Sequence, residues 1–314
     1  PVKDVLRRLL AGELTEDQAV VELRRLQLDE LGGRAKLDLG RFLRRGVPEV
    51  ILATGKAPVD AARLAVAMAE RQGQGLISRM TPAHQAALQE AAAASQMQVI
   101  PYAASARVLR RDFTPEAVEG KVGILTAGTS DLAAAEEAQM VVEACGLEAR
   151  LDADLGVAGL HRFVGPLAAI LEWGADVIIV AAGMDGVLPG LVAGLIDLPV
   201  IGLPVSTGYG RGGAGEAALT TMLQSCSTGL VVVNIDNGVG AGAAAVLIAQ
   251  RRLRGRKDAA TAPRSATTNS TPSKTGAIAR HTSTPPGMAK VRPRTSSVQS
   301  TPASSQGKPR RRRP

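Results

Sequence analysis

A chain of 314 residues, 45% hydrophobic but only 2% aromatic, is long enough to hold two modest domains and a sizeable core. Two cysteines, Cys145 and Cys226, supply neither a disulfide framework nor a metal-ligand pair, and no run of 18 apolar residues is present to cross a bilayer, so a soluble protein in a reducing, cytoplasmic setting is expected. The formal net charge of +8 has the look of a nucleic-acid signal until it is divided: residues 255–314 hold thirteen Lys or Arg against the single acid Asp258, leaving 24 basic against 28 acidic residues in 1–254.

The start, PVKDVLRRLLAGELTEDQ, is amphipathic and carries acids, so it lacks the apolar core of a signal peptide. Thr15 to Gln18 fits a capping box that opens a helix through about Gln27, giving an N-terminal helical segment over 1–37. PEVILATG then reads as a strand, PVDAARLAVAMAERQG as a helix, GLISR as a strand, TPAHQAALQEAAAAS as a helix and MQVIPY as a strand. That pattern predicts a small βαβαβ domain over 38–115 with right-handed crossovers. SARVLRRDFTPEAVEG, charged and containing Pro115, reads as a linker.

A second α/β unit is predicted over 120–254. KVGILTA is a strand, SDLAAAEEAQMVVEAC a helix stopped by Gly146, and LEARLDADLG a strand with its loop; ADVIIVAAG, LPVIGLP and GLVVVNID follow as strands. Uninterrupted apolar runs such as VIIVAA are what a parallel sheet covered on both faces requires. The tail, 255–314, is rich in Ser, Thr, Pro and Arg, has no aromatic residue, and is expected to be disordered because it cannot bury enough apolar surface to offset chain entropy. It is either a solvated extension or an arm for polyanions, whose binding would be weak, electrostatic and salt-sensitive without a base-stacking platform.

Ligands of such sheets sit beyond the carboxyl ends of the strands. The first stretch there is AGTSD, where small residues and a helix start suit a phosphate, though Ser130 can equally serve as a helix cap. His161 and Arg162 follow in GVAGLHR, and Asp185 lies between glycines in AAGMDGVLPG. His161 is either structural or a proton shuttle near neutral pH. Cys226, in TTMLQSCSTGLVVVNIDNG, is either a small buried hydrophobe or a nucleophile.

Taken together, KVGILTAGTSDLAAAEEA, DLGVAGLHR, VIIVAAGMDGVLPGLVAGLIDLPVIGLPVSTGYG and TTMLQSCSTGLVVVNIDNG resemble the carboxylase/hydrolase family of nickel-pincer cofactor biosynthesis, the LarB family. AGTSD, GLHR and LPGLVA are also similar to motifs of the phosphoribosylaminoimidazole carboxylases of purine synthesis. The likeness spans about residues 38 to 250; DLGRFLRRGVPEVILATGK shares it only with the first family, and the tail lies outside it.

The resemblance implies a flavodoxin-like, three-layer, doubly wound parallel sheet of PurE type, preceded by a smaller α/β domain. It implies carboxylation of the pyridinium ring of nicotinic acid adenine dinucleotide with CO2 or bicarbonate as the carbon source, cleavage of the phosphoanhydride, and a homo-oligomer, an octamer. Cys226 becomes the nucleophile, Cys145 keeps the bland reading, and Asp185 stands where the family carries Glu, one methylene longer. Thr129, Ser130, Asp131 and Arg162 are implied as phosphate and ribose contacts and His161 as a proton shuttle. Lys56, after VILATG, is a candidate contact for the adenylate half. No tightly bound cofactor is expected; Mg2+ suits phosphoanhydride cleavage, although the sequence displays no ligand set for it. A purine-type mutase or carboxylase is the alternative, and it leaves Cys226 without a use.

Overall fold

The computed structural model describes residues 2–25, 28–31 and 35–261, which fall within a single compact unit. The expected end of the second helix at Gln27, and the tail from residue 262 onward, lie outside the described residues. Two helices, α1 (Val2–Leu10) and α2 (Glu16–Arg25), open the chain. The expected capping box is present, with the Thr15 side chain accepting from the Gln18 amide and Gln18 Oε1 accepting from the Thr15 amide.

The helical segment expected over 1–37 ends early. Two strands, β1 (Leu28–Leu31) and β2 (Ala35–Asp38), pair antiparallel there. The Gly-Gly dipeptide between them in the sequence is a hairpin signal that outweighs the helix pattern before it. A short α3 (Arg41–Arg45) leads into the first four-stranded sheet.

That sheet contains β3 (Val50–Leu52), β4 (Gln74–Ser78), β5 (Gln98–Tyr102) and β6 (Ser105–Leu109) in the order β3-β4-β6-β5. The βαβαβ expectation is therefore only partly met. β3 and β4 are parallel, but β6 enters between β4 and β5, antiparallel to both. The segment read as a linker, 105–120, opens with this inserted strand, all five of whose residues are buried, and only 110–120 connect the two sheets. Its charge misled: Arg107 is buried because its guanidinium meets Gln74 Oε1 at 3.3 Å and Glu143 at 3.9 Å.

Period-two alternation gives this sheet two different faces. Ile51, Ile77, Ala106 and Val108 pack under α4 (Pro58–Gln72) and α5 (Pro82–Ala94). The opposite face, with Gln74, Leu76, Tyr102 and Arg107, meets α6 (Leu132–Ala144), a helix of the second sheet. Tyr102 donates its hydroxyl to Glu143, and Gln74 Nε2 donates to the Ala144 carbonyl at 2.8 Å.

The second sheet is parallel throughout, as expected. Its strands β7 (Lys121–Thr126), β8 (Glu148–Asp152), β9 (Val177–Ala182), β10 (Val200–Pro204) and β11 (Leu230–Val232) lie in the order β11-β10-β9-β7-β8. Read from the other edge, this is the flavodoxin order. In β9, Val177, Ile179 and Ala181 face α6 and α10 (Gly238–Thr261). Ile178, Val180 and Ala182 face α7 (His161–Trp173), α8 (Val187–Ala193) and α9 (Glu216–Leu223). Three layers follow directly from an all-apolar strand. α10 runs on to Thr261, past the boundary expected at residue 254.

α6 and α10 approach closely because α10 begins with glycines four apart. A Cβ on Gly238 would stand 2.3 Å from the Ala134 carbonyl oxygen, and one on Gly242 would stand 2.6 Å from that of Ala138. Gly242→Ala is expected to cost about 2 kcal/mol in urea or thermal unfolding, since the helices must separate to admit a methyl group. Gly165→Ala in α7, where an added Cβ meets nothing within 4 Å, should instead leave stability unchanged or raise it by up to about 1 kcal/mol.

Candidate functional site

The carboxyl ends of the parallel strands gather most of the expected side chains. After β7, Gly128 enters a short turn, Thr129–Asp131, that leads into α6. Thr129 and Ser130 are exposed, whereas Asp131 is only 3% exposed. Both oxygens of Asp131 are used within the protein: Oδ2 accepts from the Gly128 amide at 2.9 Å and Oδ1 from the Thr207 hydroxyl at 2.7 Å. Asp131 thus shapes the loop, and Thr129 and Ser130 present it to solvent.

Thr207 follows β10, so its bond to Asp131 spans the exit of β9, which lies between β10 and β7 in the sheet. That crossing demands glycine at 183. A Cβ there would stand 2.2 Å from Thr207 Oγ1 and 3.2 Å from Asp131 Oδ1. The sequence marked Gly183 and the loop PVSTGYG but not the role of Thr207; a hydroxyl residue directly after a strand was the available signal.

His161 and Arg162 begin α7 beyond β8, both exposed. Arg162 Nη1 bonds Asp154 Oδ2 at 2.9 Å. A surface pair of this kind is worth under about 1 kcal/mol, so an arriving phosphate competes readily for the guanidinium. A Cβ on Gly156 would lie 2.9 Å from the Ala127 carbonyl oxygen and 3.8 Å from Arg162 Nη2, which puts Arg162 beside the AGTSD loop. Asp185 is exposed at the exit of β9, its Oδ1 accepting from the Val187 amide at 3.4 Å where α8 starts.

Cys226 sits elsewhere on the same domain. It is exposed, in the connection between α9 and β11. That connection lies against α8: Ser227 Oγ donates to the Gly190 carbonyl at 2.7 Å, and a Cβ on Gly190 would meet Ser225 Oγ at 2.8 Å. An open groove of about 570 Å³ runs between α8 and α9, from Gly186 and Val187 to Cys226. Asp185 adjoins one end of this groove. It precedes Gly186 in the chain and is not itself among the residues that line the groove. Lys56 lies on the first sheet instead, its Nζ donating to the Leu52 carbonyl at 2.7 Å and its own carbonyl accepting from His84 Nε2 at 3.0 Å.

Residues 121–268 match the family model for AIR carboxylase, and residues 28–112 match that for a LarB/PurE-like N-terminal domain. An uncharacterized protein of Methanocaldococcus jannaschii is 37% identical over 252 residues, covering 79% of this chain and 97% of that protein. The N5-carboxyaminoimidazole ribonucleotide mutase of Thermotoga maritima is 30% identical over 131 residues, covering 40% of this chain and 74% of the mutase. Among solved structures, PurE2-S38D of Treponema denticola is similar at 18% identity and a TM-score of 0.32, covering 47% of this chain and all of that one. The chain belongs to the AIR carboxylase family.

In this AIR carboxylase domain the motifs shared with the mutases, AGTSD and GLHR, lie together on the carboxyl edge. Among the described residues no group of three or more His, Cys, Asp or Glu side chains is placed to hold a metal ion. No described helix is long and apolar enough to cross a membrane. A cavity of about 900 Å³ lies at the opposite, amino edge, where Phe42, Gln72, Phe113 and Cys145 line it; none of the candidate site residues does.

The two cysteines contrast sharply. Cys145 is buried, its Sγ 3.7 Å from the Gly46 carbonyl oxygen, and burial pushes its thiol up to about 12. At pH 8, Ellman's reagent should therefore titrate one thiol rapidly in the native protein and the second only after denaturation. Cys226→Ser should abolish the rapid phase and Cys145→Ser should leave it intact.

Proposed function

We propose that this AIR carboxylase family member carboxylates the pyridinium ring of nicotinic acid adenine dinucleotide and cleaves its phosphoanhydride, yielding pyridinium-3,5-biscarboxylic acid mononucleotide and AMP. The observation that carries the reading is the exposed thiol of Cys226 in the open groove between α8 and α9. The LarB/PurE-like N-terminal domain, matched over 28–112, supports it.

The chemistry needs both groups. C5 of a pyridinium is electron-poor and does not attack CO2. A thiolate adding at C4 places two electrons in the ring and yields a neutral dienamine, whose C5 is nucleophilic. Attack of C5 on CO2 forms the new carbon–carbon bond and restores the positive charge. A base then removes the C5 proton, and expulsion of the thiolate from C4 regenerates the aromatic ring. Asp185, exposed ahead of α8, is the carboxylate proposed as that base.

Thr129, Ser130 and Arg162 bind phosphate and ribose in this reading, His161 relays a proton, and water cleaves the anhydride to release AMP. Lys56, on the other sheet, is left for the adenylate half. A homo-octamer is part of the same reading, as are a cytoplasmic location and a tail that is a solvated extension or a weak polyanion arm.

A purine-type mutase reading is favoured by a different observation: two relatives, 30% and 36% identical, are named N5-carboxyaminoimidazole ribonucleotide mutases, and a third, 32% identical, a probable one. The thiol separates the two. Incubation with the dinucleotide and isotopically labelled bicarbonate, followed by mass spectrometry, should show one label per pyridinium product in the wild type and in Cys145→Ser. Cys226→Ser, nearly isosteric but far less nucleophilic, should fall to background. Product formation by Cys226→Ser at a comparable rate would sink the covalent route and bring the mutase reading forward.

Asp185 gives a second test. Asp185→Asn should bind the dinucleotide normally but turn it over more slowly, by about 10²- to 10⁴-fold, the range for loss of a general base. Asp185→Glu should remain active. Equal turnover by the Asn variant and the wild type would remove Asp185 from the reaction.

A further inference from the structure

The first sheet reaches the candidate site through one side chain. Arg79 follows β4, and its Nη2 donates to the carbonyl of Asp236 at 2.6 Å. Asp236 lies just beyond β11, on the carboxyl edge of the second sheet. From there the bonds continue loop by loop. Asp236 Oδ1 accepts from the Ser206 amide at 2.9 Å; the next residue, Thr207, donates to Asp131 Oδ1 at 2.7 Å; and Asp131 Oδ2 accepts from the Gly128 amide at 2.9 Å. The series links the exits of β11, β10 and β7 and ends at the turn that presents Thr129 and Ser130.

Two further observations single out the Arg79 end. Arg79 and Asp236 both have φ 55, the left-handed region, which is uncommon for Arg and more readily taken by Asp. Both partners of the link thus turn the chain sharply where they meet. In addition, Glu137 of α6 grips the same turn from below. It is only 4% exposed, its Oε2 accepts from the Val239 amide at 3.1 Å, and its Oε1 lies 3.9 Å from Arg79 Nε. The turn after β11 is thus held between a guanidinium from one sheet and a carboxylate from the other.

We propose that Arg79 is a positioning residue for the substrate loop. By holding the Asp236 carbonyl it fixes the carboxylate that holds Ser206, and so sets Thr207 against Asp131 and the Thr129–Ser130 turn in place. This rests on the reading that the 129–131 loop holds the phosphate of the substrate, a feature common to both reactions considered above. Asp236 and Thr207 carry the effect, and Arg79 itself touches no substrate.

The test compares Arg79→Ala, Arg79→Lys, Thr207→Val and the Arg79→Ala/Thr207→Val double variant in the full chain. Amide hydrogen exchange across 204–208 is the first readout and needs no ligand. It should accelerate about tenfold in Arg79→Ala, the size expected for loss of one charge-assisted hydrogen bond, and return most of the way in Arg79→Lys. The second readout is steady-state turnover of the dinucleotide. KM should rise about tenfold in Arg79→Ala with a smaller change in kcat, and the double variant should be no worse than the poorer single one, as coupled residues require. Unchanged exchange at 204–208 in Arg79→Ala, or KM effects of the two substitutions that simply multiply, would overturn the proposal. If the wild type does not turn over the dinucleotide, the proposed function fails, and the exchange comparison alone decides the role of Arg79.

Discussion

Helix α6 is packed between two sheets, and this double burial organises the molecule. Its sequence, LAAAEEAQMVVEA, is rich in small and apolar residues, and most of it is buried. Ala135, Ala138, Met140, Val141 and Val142 are fully enclosed. Small residues on α6 and the glycines of α10 let those two helices nearly touch. The first sheet then closes over the remaining side of α6 with a polar face.

That polar face explains how two sheets are held in register. Apolar contacts are tolerant of sliding, whereas hydrogen bonds to buried groups have one geometry. Tyr102 and Arg107 converge on Glu143, Gln74 caps the Ala144 carbonyl, and Arg79 meets Asp236 and Glu137. Burial pushes the Tyr102 hydroxyl up to about 12, with the bond to Glu143 adding to it, so the phenol keeps its proton and donates it to Glu143. Burial raises the Glu137 carboxyl as well, opposed by the Arg79 charge and by amide donors at the start of α10.

The parallel sheet was readable from its apolar strands, because a strand covered on both faces has little freedom in composition. The site motifs on its carboxyl edge were readable for a related reason: glycine, Asp and hydroxyl residues after a strand have few structural alternatives. The first sheet was harder. Arg107 made β6 look like a linker because a charge is usually solvated, and its partners Glu143 and Gln74 are far away in sequence. Thr207 and Arg79 escaped notice for the same reason, since each acts through a loop from another part of the chain. Strand order, too, lay beyond a local reading: nothing within MQVIPY announces that a later strand will separate it from GLISR.

A helix claimed by two sheets also blurs what a domain boundary means here. The family-model matches divide the chain between residues 112 and 121, yet Glu137 and Glu143 are anchored by side chains from before that division. A fragment beginning at β7 would keep its sheet but turn buried carboxylates and a row of apolar side chains toward water. Modular matching and modular packing are separate properties, and in this chain the second part buries several of its groups against the first. Grafting the leading part onto a compact relative would therefore require rewriting the outward side of the recipient's corresponding helix, residue by residue, before the two could share a core.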